Sequence, residues 1–143
     1  MASALYDLGR EGFLTGEISW NVATIKIGLL RGGTPNLATH KFVSDVTGAG
    51  STIVGTPQTL GSKTTAAGVA DAADPTFTAV AAGAAIERLL IFQSSAVTGG
   101  ADVAASAQRV IALIDDYTGL PVTPNGGDIT VQFSSGSNRI FKL

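Results

Sequence analysis

One early segment of the chain alternates cleanly between apolar and polar positions. In Thr24 to Leu30 (TIKIGLL) every second residue carries a branched apolar side chain. Because successive side chains of a strand point to opposite faces, Ile25, Ile27 and Leu29 would all face the same side. The spacing predicts a β-strand that places these three side chains in the core.

Two later segments are apolar almost without interruption. Glu87 to Phe92 (ERLLIF) and Arg109 to Ile114 (RVIALI) each open with a charged residue and continue as a short apolar run. Runs of this length are typical of strands that are buried on both faces. Between them, Ser94 to Gln108 is rich in small residues and contains Gly99-Gly100, which predicts an exposed loop.

Two helices are predicted, and both are short. Residues 3–14 have apolar side chains at helical spacing, with Ser3 as the N-terminal cap and Gly16 as the end. Leu37 to Val46 (LATHKFVSDV) predicts one or two further helical turns, with Asp45 near the end.

Glycine and proline divide most of the remaining chain into short strands. Glu17 to Trp20 and Thr76 to Val80 are each predicted as one strand. Residues 51–65 are predicted as two Thr-rich strands, separated by Gly55-Thr56-Pro57.

The segment Asn125 to Asp128 (NGGD) could be a phosphate-binding loop or a turn. It precedes an alternating run, Ile129 to Phe133, whereas phosphate-binding loops place their glycines before a helix. We therefore predict a turn. With Arg139 to Leu143 as a closing strand, residues 128–143 predict a β-hairpin whose loop is centred on Gly136.

Many short strands between Gly and Pro turns are typical of an all-β fold. The fold class predicted here is a β-sandwich or a jelly-roll-like barrel with one or two short helices. A chain of 143 residues is long enough for its own core, so residues 1–143 are predicted to form a single domain.

Composition narrows the classes of partner. Charged residues make up 14% of the chain, against about a quarter in ordinary soluble domains. A surface of small neutral residues suits a protein that packs against neighbours, although a soluble domain with a bland surface fits as well. The net charge is −2 and no basic run is present, so we expect no nucleic-acid partner.

Membrane, secretion and cysteine chemistry are also disfavoured. No apolar run approaches the ~20 residues that span a bilayer, so we expect no membrane partner. The opening MASALYDLGREGF has charged residues where a signal peptide has its apolar core, which predicts synthesis in a cytoplasm. The chain contains no cysteine, so disulfides and thiolate sites are excluded.

No pattern points to an active site. Asp71 with Asp74, and Asp115 with Asp116, could offer oxygen ligands, but neither spacing matches a calcium-binding loop. His40 is the only histidine, so zinc would lack further nitrogen or sulfur ligands, and no GxSxG motif holds a nucleophilic serine. A pair of catalytic carboxylates stays open, because spacing in space is unknown. We predict no enzyme, catalytic residue, metal, cofactor or small-molecule substrate.

The two large aromatic residues near the N-terminus allow two interpretations. Tyr6 and Trp20 could pack in the core, which is the usual role of large aromatic side chains in so Ala-rich a chain. Alternatively, they could anchor a sugar or a protein partner.

Both ends of the chain resemble one family. Ala4 to Trp20 (ALYDLGREGFLTGEISW), Thr39 to Val46 (THKFVSDV) and Thr118 to Leu143 (TGLPVTPNGGDITVQFSSGSNRIFKL) resemble a family of small structural proteins of tailed bacteriophages. Its members begin with an ALYDxGREGFLxGxIxW-like segment and close with a TGLPVTPNGGDITV…IFKL-like segment. The middle, roughly residues 47–107, follows the family pattern less closely, and the Gly99 to Gln108 segment is longer.

The resemblance implies a structural role in the virion. A small, all-β, cysteine-free chain of low charge is similar to a capsid decoration (cement) protein. Its partners would be the major capsid protein and further copies of itself. Its place would be the outer capsid surface, after synthesis in the host cytoplasm. Residues 1–20 would form a contact arm with Tyr6, Arg10, Phe13 and Trp20 as anchors, since Arg and Tyr are common in interfaces.

Three other functions remain open at this stage. The chain could be a head–tail connector, a tail component or a fibre component, although no repeat or heptad is visible. It could be a carbohydrate-binding adhesion module. An enzyme is the least favoured function, because no catalytic motif appears. The fold alone does not decide among these functions.

Overall fold

A computed structural model of the protein describes residues 4–97, 99–115, 119–133 and 139–143. Within these ranges the chain is mostly β, as predicted, and its strands form three antiparallel sheets. The helices are Asp7–Thr15 (α1) and Val43–Gly48 (α2), with one 3-10 turn at Ala105–Ala107. The strands are Ala4–Leu5 (β1), Thr24–Arg31 (β2), Thr52–Thr59 (β3), Thr64–Ala66 (β4), Val69–Asp71 (β5), Thr76–Phe77 (β6), Arg88–Ser95 (β7), Val110–Ile114 (β8), Ile129–Thr130 (β9) and Phe141–Lys142 (β10).

A five-stranded sheet in the order β1-β8-β7-β2-β3 forms the centre of the molecule. Its three middle strands are the segments whose apolar patterns were the clearest, so the predictions for β2, β7 and β8 are confirmed. In the register, Ile27 lies opposite Ile91, and Ile91 lies opposite Ala112.

Both faces of this sheet are covered, which explains the continuous apolar runs of β7 and β8. One face packs against the two smaller sheets through Ile25, Ile27 and Leu29, as predicted. The other face packs against α2 and the segment before it. The buried residues of this second cluster are Tyr6, Leu30, Val43, Val46, Leu90, Phe92, Val110 and Leu113.

Helix α1 begins later than predicted. Residues 4–5 pair with β8 as an antiparallel strand, with Ala4 opposite Leu113, and the helix starts at Asp7. Although the apolar spacing favours a helix here, residues 4–5 form a strand, because pairing with β8 places Leu5 in the core. Gly16 ends the helix in a left-handed conformation (φ 80°), as expected of a C-terminal glycine. Ser3 lies outside the described residues.

Two further local predictions are wrong. Glu17 to Trp20 is not a strand but a bend and turn leading into β2. The second helix starts at Val43 rather than Leu37. Asp45 lies in its first turn, where its Oδ2 accepts the backbone N–H groups of Lys41 and Phe42, both at 2.9 Å. These two bonds hold the pKa of Asp45 below its ordinary value and mark a helix start.

The Gly55-Thr56-Pro57 segment does not separate two strands. β3 runs through it, and the extra residues form a bulge: Ile27 pairs with Gln58, whereas Leu29 pairs with Val54. A bulge absorbs extra residues without ending a strand. The next Thr-rich segment, β4, belongs to another sheet, ordered β10-β5-β4.

The β4 and β5 strands form a tight hairpin. Ala66 pairs with Val69, so the loop has two residues, Ala67 and Gly68, with φ angles of 52° and 79°. Positive φ at both loop positions is the geometry that matches the twist of a hairpin.

The predicted C-terminal hairpin is wrong. β9 pairs with β6, with Thr76 opposite Thr130, and β10 pairs with β5, with Phe141 opposite Ala70. Both partners lie before β7 in the chain, far from β9 and β10 in sequence. β6 offers a strand edge to β9, and β5 offers one to β10. The strand predicted from Thr76 to Val80 is limited to β6. The expected loop at Gly136 lies outside the described residues.

Candidate protein-contact surface

A buried arginine fastens the N-terminal segment to the central sheet. Arg109, immediately before β8, donates from one terminal nitrogen to Glu17 and from the other to the backbone oxygen of Leu8. Its side chain is 4% exposed. The hydrogen bond from Arg109 holds the pKa of Glu17 below its ordinary value. Residues 8–17 are therefore attached firmly to the fold rather than forming a free arm.

The two large aromatic residues of the expected contact arm lie inside the chain. Tyr6 is fully buried in the cluster beneath α2, and burial raises its pKa to about 12. Trp20 is 5% exposed. Its indole N–H donates to the Asp71 backbone oxygen at 3.3 Å, and its ring meets that of Phe141 edge-on at 5.2 Å. Both rings contact the protein's own core.

The other two expected anchors differ from each other. Phe13 is half-buried, and its ring centre lies 6.0 Å from that of Phe141. The Arg10 side chain is 54% exposed and makes an ion pair of 3.3 Å with Asp7 on the same helix. Of the four anchors, Arg10 is the one that the structure places in the open.

The sequence analysis missed Leu14. This side chain is 88% exposed. It lies seven residues after Asp7, so that Asp7, Arg10, Glu11 and Leu14 share one side of α1. We call these four residues the α1 outer face; all of them are exposed. The same helical spacing that assigns Phe13 inward could have assigned Leu14 outward.

Three other exposed segments consist almost entirely of small side chains. They are residues 64–68 in the β4–β5 hairpin, residues 81–84 before β7, and residues 101–107 before β8. Asp102 is the one charged residue in the three segments, and it pairs with Lys26 at 2.9 Å.

The exposed loop predicted from Ser94 to Gln108 is shorter than expected, because both of its end residues are buried. Ser94 belongs to β7, and Gln108 lies just before Arg109 and β8.

The NGGD segment is a structural turn, as predicted. Asn125 accepts the Gly127 N–H with its side-chain oxygen at 3.0 Å. The Gly126 N–H donates to the Val80 backbone oxygen at 2.8 Å, and the Val80 N–H donates to the Gly127 oxygen at 3.0 Å. Asp128 Oδ1 accepts the Ala79 N–H at 2.8 Å. The turn therefore braces the segment that follows β6.

Three of the residues considered for chemistry, His40, Asp71 and Asp74, have structural contacts, and Asp116 lies outside the described residues. His40 Nδ1 accepts the Asn36 backbone N–H at 3.2 Å. Asp71 pairs with Arg139 at 3.7 Å, and Asp74 accepts the Phe133 N–H at 2.9 Å. The described residues contain no group of three or more His, Cys, Asp or Glu that could hold a metal ion. Among those same residues, no helix is long and apolar enough to cross a membrane.

Comparison with known proteins adds no relative. The chain matches no protein-family model, no curated protein and no solved structure. Any assignment to a family therefore rests on the resemblance of the end segments, and any function is a proposal from the residues and their geometry.

Proposed function

We propose that the chain is a structural protein of a tailed-phage virion, of the capsid decoration type. It would bind the outer surface of the head and bridge neighbouring subunits of the major capsid protein. The resemblance of both end segments to small phage structural proteins motivates this proposal, and the character of the exposed surface supports it.

The observation that carries the proposal is the exposure of small, neutral side chains. Residues 64–68, 81–84 and 101–107 are three exposed segments that hold one charge among them. Small side chains lose little rotational freedom when a partner covers them. A neutral surface also has few charges to strip of water. Such segments suit a protein that is covered by neighbours.

The α1 outer face supplies the candidate anchor for the shell. Leu14 offers an apolar side chain, and Arg10 lies one helical turn before it. Arginine is enriched among the residues that dominate binding energy, and leucine adds apolar area. A single such contact is weak, but symmetry repeats it over every copy on a shell.

The carbohydrate-binding alternative receives less support. Sugar-binding surfaces usually present exposed aromatic rings with polar groups nearby. Among the described residues, the large apolar side chains that are clearly exposed are aliphatic: Leu14, Val22, Val97, Val103 and Leu143. A connector or tail component stays a second candidate, which the copy number in particles tests directly.

The experiment that tests the proposal is the copy number of the chain in purified particles. Quantitative mass spectrometry against the major capsid protein gives the ratio, and electron microscopy locates the density. A ratio near that of the shell lattice, with density on the outer head, would support decoration. A handful of copies at one vertex or in the tail would point to a connector or tail role. Absence from the particle would overturn both.

A further inference from the structure

A groove lies between β3 and the segment that follows β6. It is lined by Arg31, by the β3 residues 52–56 and Gln58, and by residues 77–82. Its volume is about 530 Å³, which falls within the range of roughly 300–1,000 Å³ common for binding sites. We call it the β3 groove.

One wall of the β3 groove is a free strand edge. β3 is the last strand of the five-stranded sheet and pairs with β2 alone among the described strands. An unpaired edge carries N–H and C=O groups that can bond to an added strand. The bulge at residues 55–57 and the missing N–H of Pro57 disfavour pairing there. An added strand would therefore align with Thr52 to Val54.

Arg31 brings a positive charge without a counter-charge to this groove. One terminal nitrogen donates to the Ala84 backbone oxygen at 3.2 Å. The Nε is buried without a partner, and no carboxylate of a described residue forms an ion pair with the guanidinium. The second terminal nitrogen is not among the buried atoms. It can therefore donate a charge-assisted hydrogen bond to a carboxylate that enters the groove.

Gly83 leaves the space that the Arg31 guanidinium occupies. A Cβ at position 83 would lie 3.0 Å from one terminal nitrogen of Arg31 and 3.5 Å from the other. The guanidinium thus lies against bare backbone, and a larger residue would push it aside.

The opposite wall is held in place by the NGGD turn. Ala79 has φ 49°, a left-handed conformation that is unfavourable for a residue with a side chain. Its N–H donates to Asp128, and both backbone groups of Val80 bond to the same turn. A wall that is ordered before binding loses little entropy on binding.

We propose that the β3 groove binds an extended peptide segment that carries a carboxylate. The segment would add to the free edge of β3 at Thr52 to Val54, and its carboxylate would pair with Arg31. That the segment belongs to a shell subunit rests on the proposed function; the binding of such a peptide does not.

The test is a titration of the isotope-labelled full chain, followed by NMR of its backbone amides. The probe is the blocked peptide acetyl-Thr-Val-Asp-Val-Thr-amide, and the matched probe has Asn in place of Asp. The Asp peptide should give saturable shifts confined to the amides of residues 52–56 and 78–82. The Asn peptide should bind about tenfold more weakly, because it loses the charge-assisted bond to Arg31.

Two variants test the groove independently. Arg31→Gln should weaken binding of the Asp peptide about tenfold and leave binding of the Asn peptide unchanged, since the substitution removes only the charged partner. Thr78→Trp should block both peptides by filling the groove, whatever Arg31 does. Lys142→Gln removes the same charge from an exposed strand residue outside the groove lining and should change nothing.

Several results would overturn the proposal. They are no shifts with the Asp peptide, equal binding of the Asp and Asn peptides, shifts outside the groove, or the same shifts with sodium sulfate alone. The last result would indicate a small-anion site. Failure here would leave the copy-number test of the virion role untouched, and absence from particles would not alter a positive peptide titration.

Discussion

On the side of α1 that faces β8, two glycines leave no room for a methyl group, whereas on the opposite side Arg10 and Leu14 project into solvent. A Cβ at Gly9 would lie 2.8 Å from the Val110 backbone oxygen, and one at Gly12 would lie 2.5 Å from the Ile18 side chain. The inner side is thus packed closely against β8 and the Ile18 side chain. On the outer side, the side chains of Arg10 and Leu14 are exposed within the part of the chain that the structure describes, so they can contact a partner.

The largest expected effect is that of Gly9→Ala. Helix propensity alone would raise stability by up to about 1 kcal/mol. The close approach to β8 should outweigh this gain, so we expect the free energy of unfolding to fall by about 1–3 kcal/mol. Urea unfolding followed by circular dichroism measures it.

Gly48→Ala is the matched control for this prediction. Gly48 also lies in a helix, but nothing approaches a Cβ there within 4 Å. The free energy of unfolding of the Gly48→Ala variant should stay the same or rise by up to about 1 kcal/mol. If Gly9→Ala were as stable as this control, the inference that α1 packs too closely on β8 to admit a methyl group would be wrong.

Arg109→Met should have the next largest effect. It keeps the apolar stem but leaves the Leu8 backbone oxygen and Glu17 without their donor. We expect a loss of about 1–3 kcal/mol in the free energy of unfolding. Arg10→Met, on the outer side, should change it by no more than about 0.5 kcal/mol. Equal losses in the two variants would remove the difference between the sides.

The Glu17 pairing predicts a dependence on pH. The Glu17 pKa is lowered from 4.5 in the folded chain, so its carboxylate binds protons less readily when folded. Its contribution is therefore present above pH 4.5 and is lost as pH falls through the lowered folded pKa. Thermal melts of the wild type and Glu17→Gln should differ near pH 6 and converge as pH falls below 4.5 through the lowered folded pKa. A difference that is constant over this range would contradict the pairing.

The smallest effect on stability is expected for Leu14→Ser. Its side chain is almost fully exposed, so the free energy of unfolding should change by less than about 0.5 kcal/mol. Binding to particles that lack the protein should nevertheless weaken, as measured by co-sedimentation. Val97→Ser is the control, because Val97 is an exposed apolar residue outside α1 and outside the three small-residue segments. Unchanged co-sedimentation of Leu14→Ser would remove the α1 outer face from the proposed contact.

The parts of the fold that sequence patterns predicted are those whose signal is local. β2, β7 and β8 each carry their full apolar pattern within eight residues or fewer. Pairing is not local: β9 joins β6 and β10 joins β5 across more than fifty residues. No nearby residue signals these partners, so proximity in sequence led to the wrong hairpin.

The contact surface could be predicted only in part. Residue type suggested Tyr6 and Arg10 alike, since both are common interface residues. The two residues differ in burial, which depends on the fold. Tyr6 follows β1 and is buried beneath α2, whereas Arg10 lies on the exposed side of α1. The β3 groove was invisible in the sequence, because it joins Arg31 to residues 77–82 through the fold.

The pairing of β1 with β8 has a consequence for how the chain is made. Ala4 has its partner at Leu113, and β2 has one of its two partners in β7. On the ribosome, the apolar β2 emerges about sixty residues before β7, and during that interval it can pair only with β3. The five-stranded sheet cannot be completed until residue 114 is free of the exit tunnel, because β8 lies between β7 and β1. A stalled or truncated chain would therefore expose its most apolar strands, and chaperone capture should be strongest just before β8 appears.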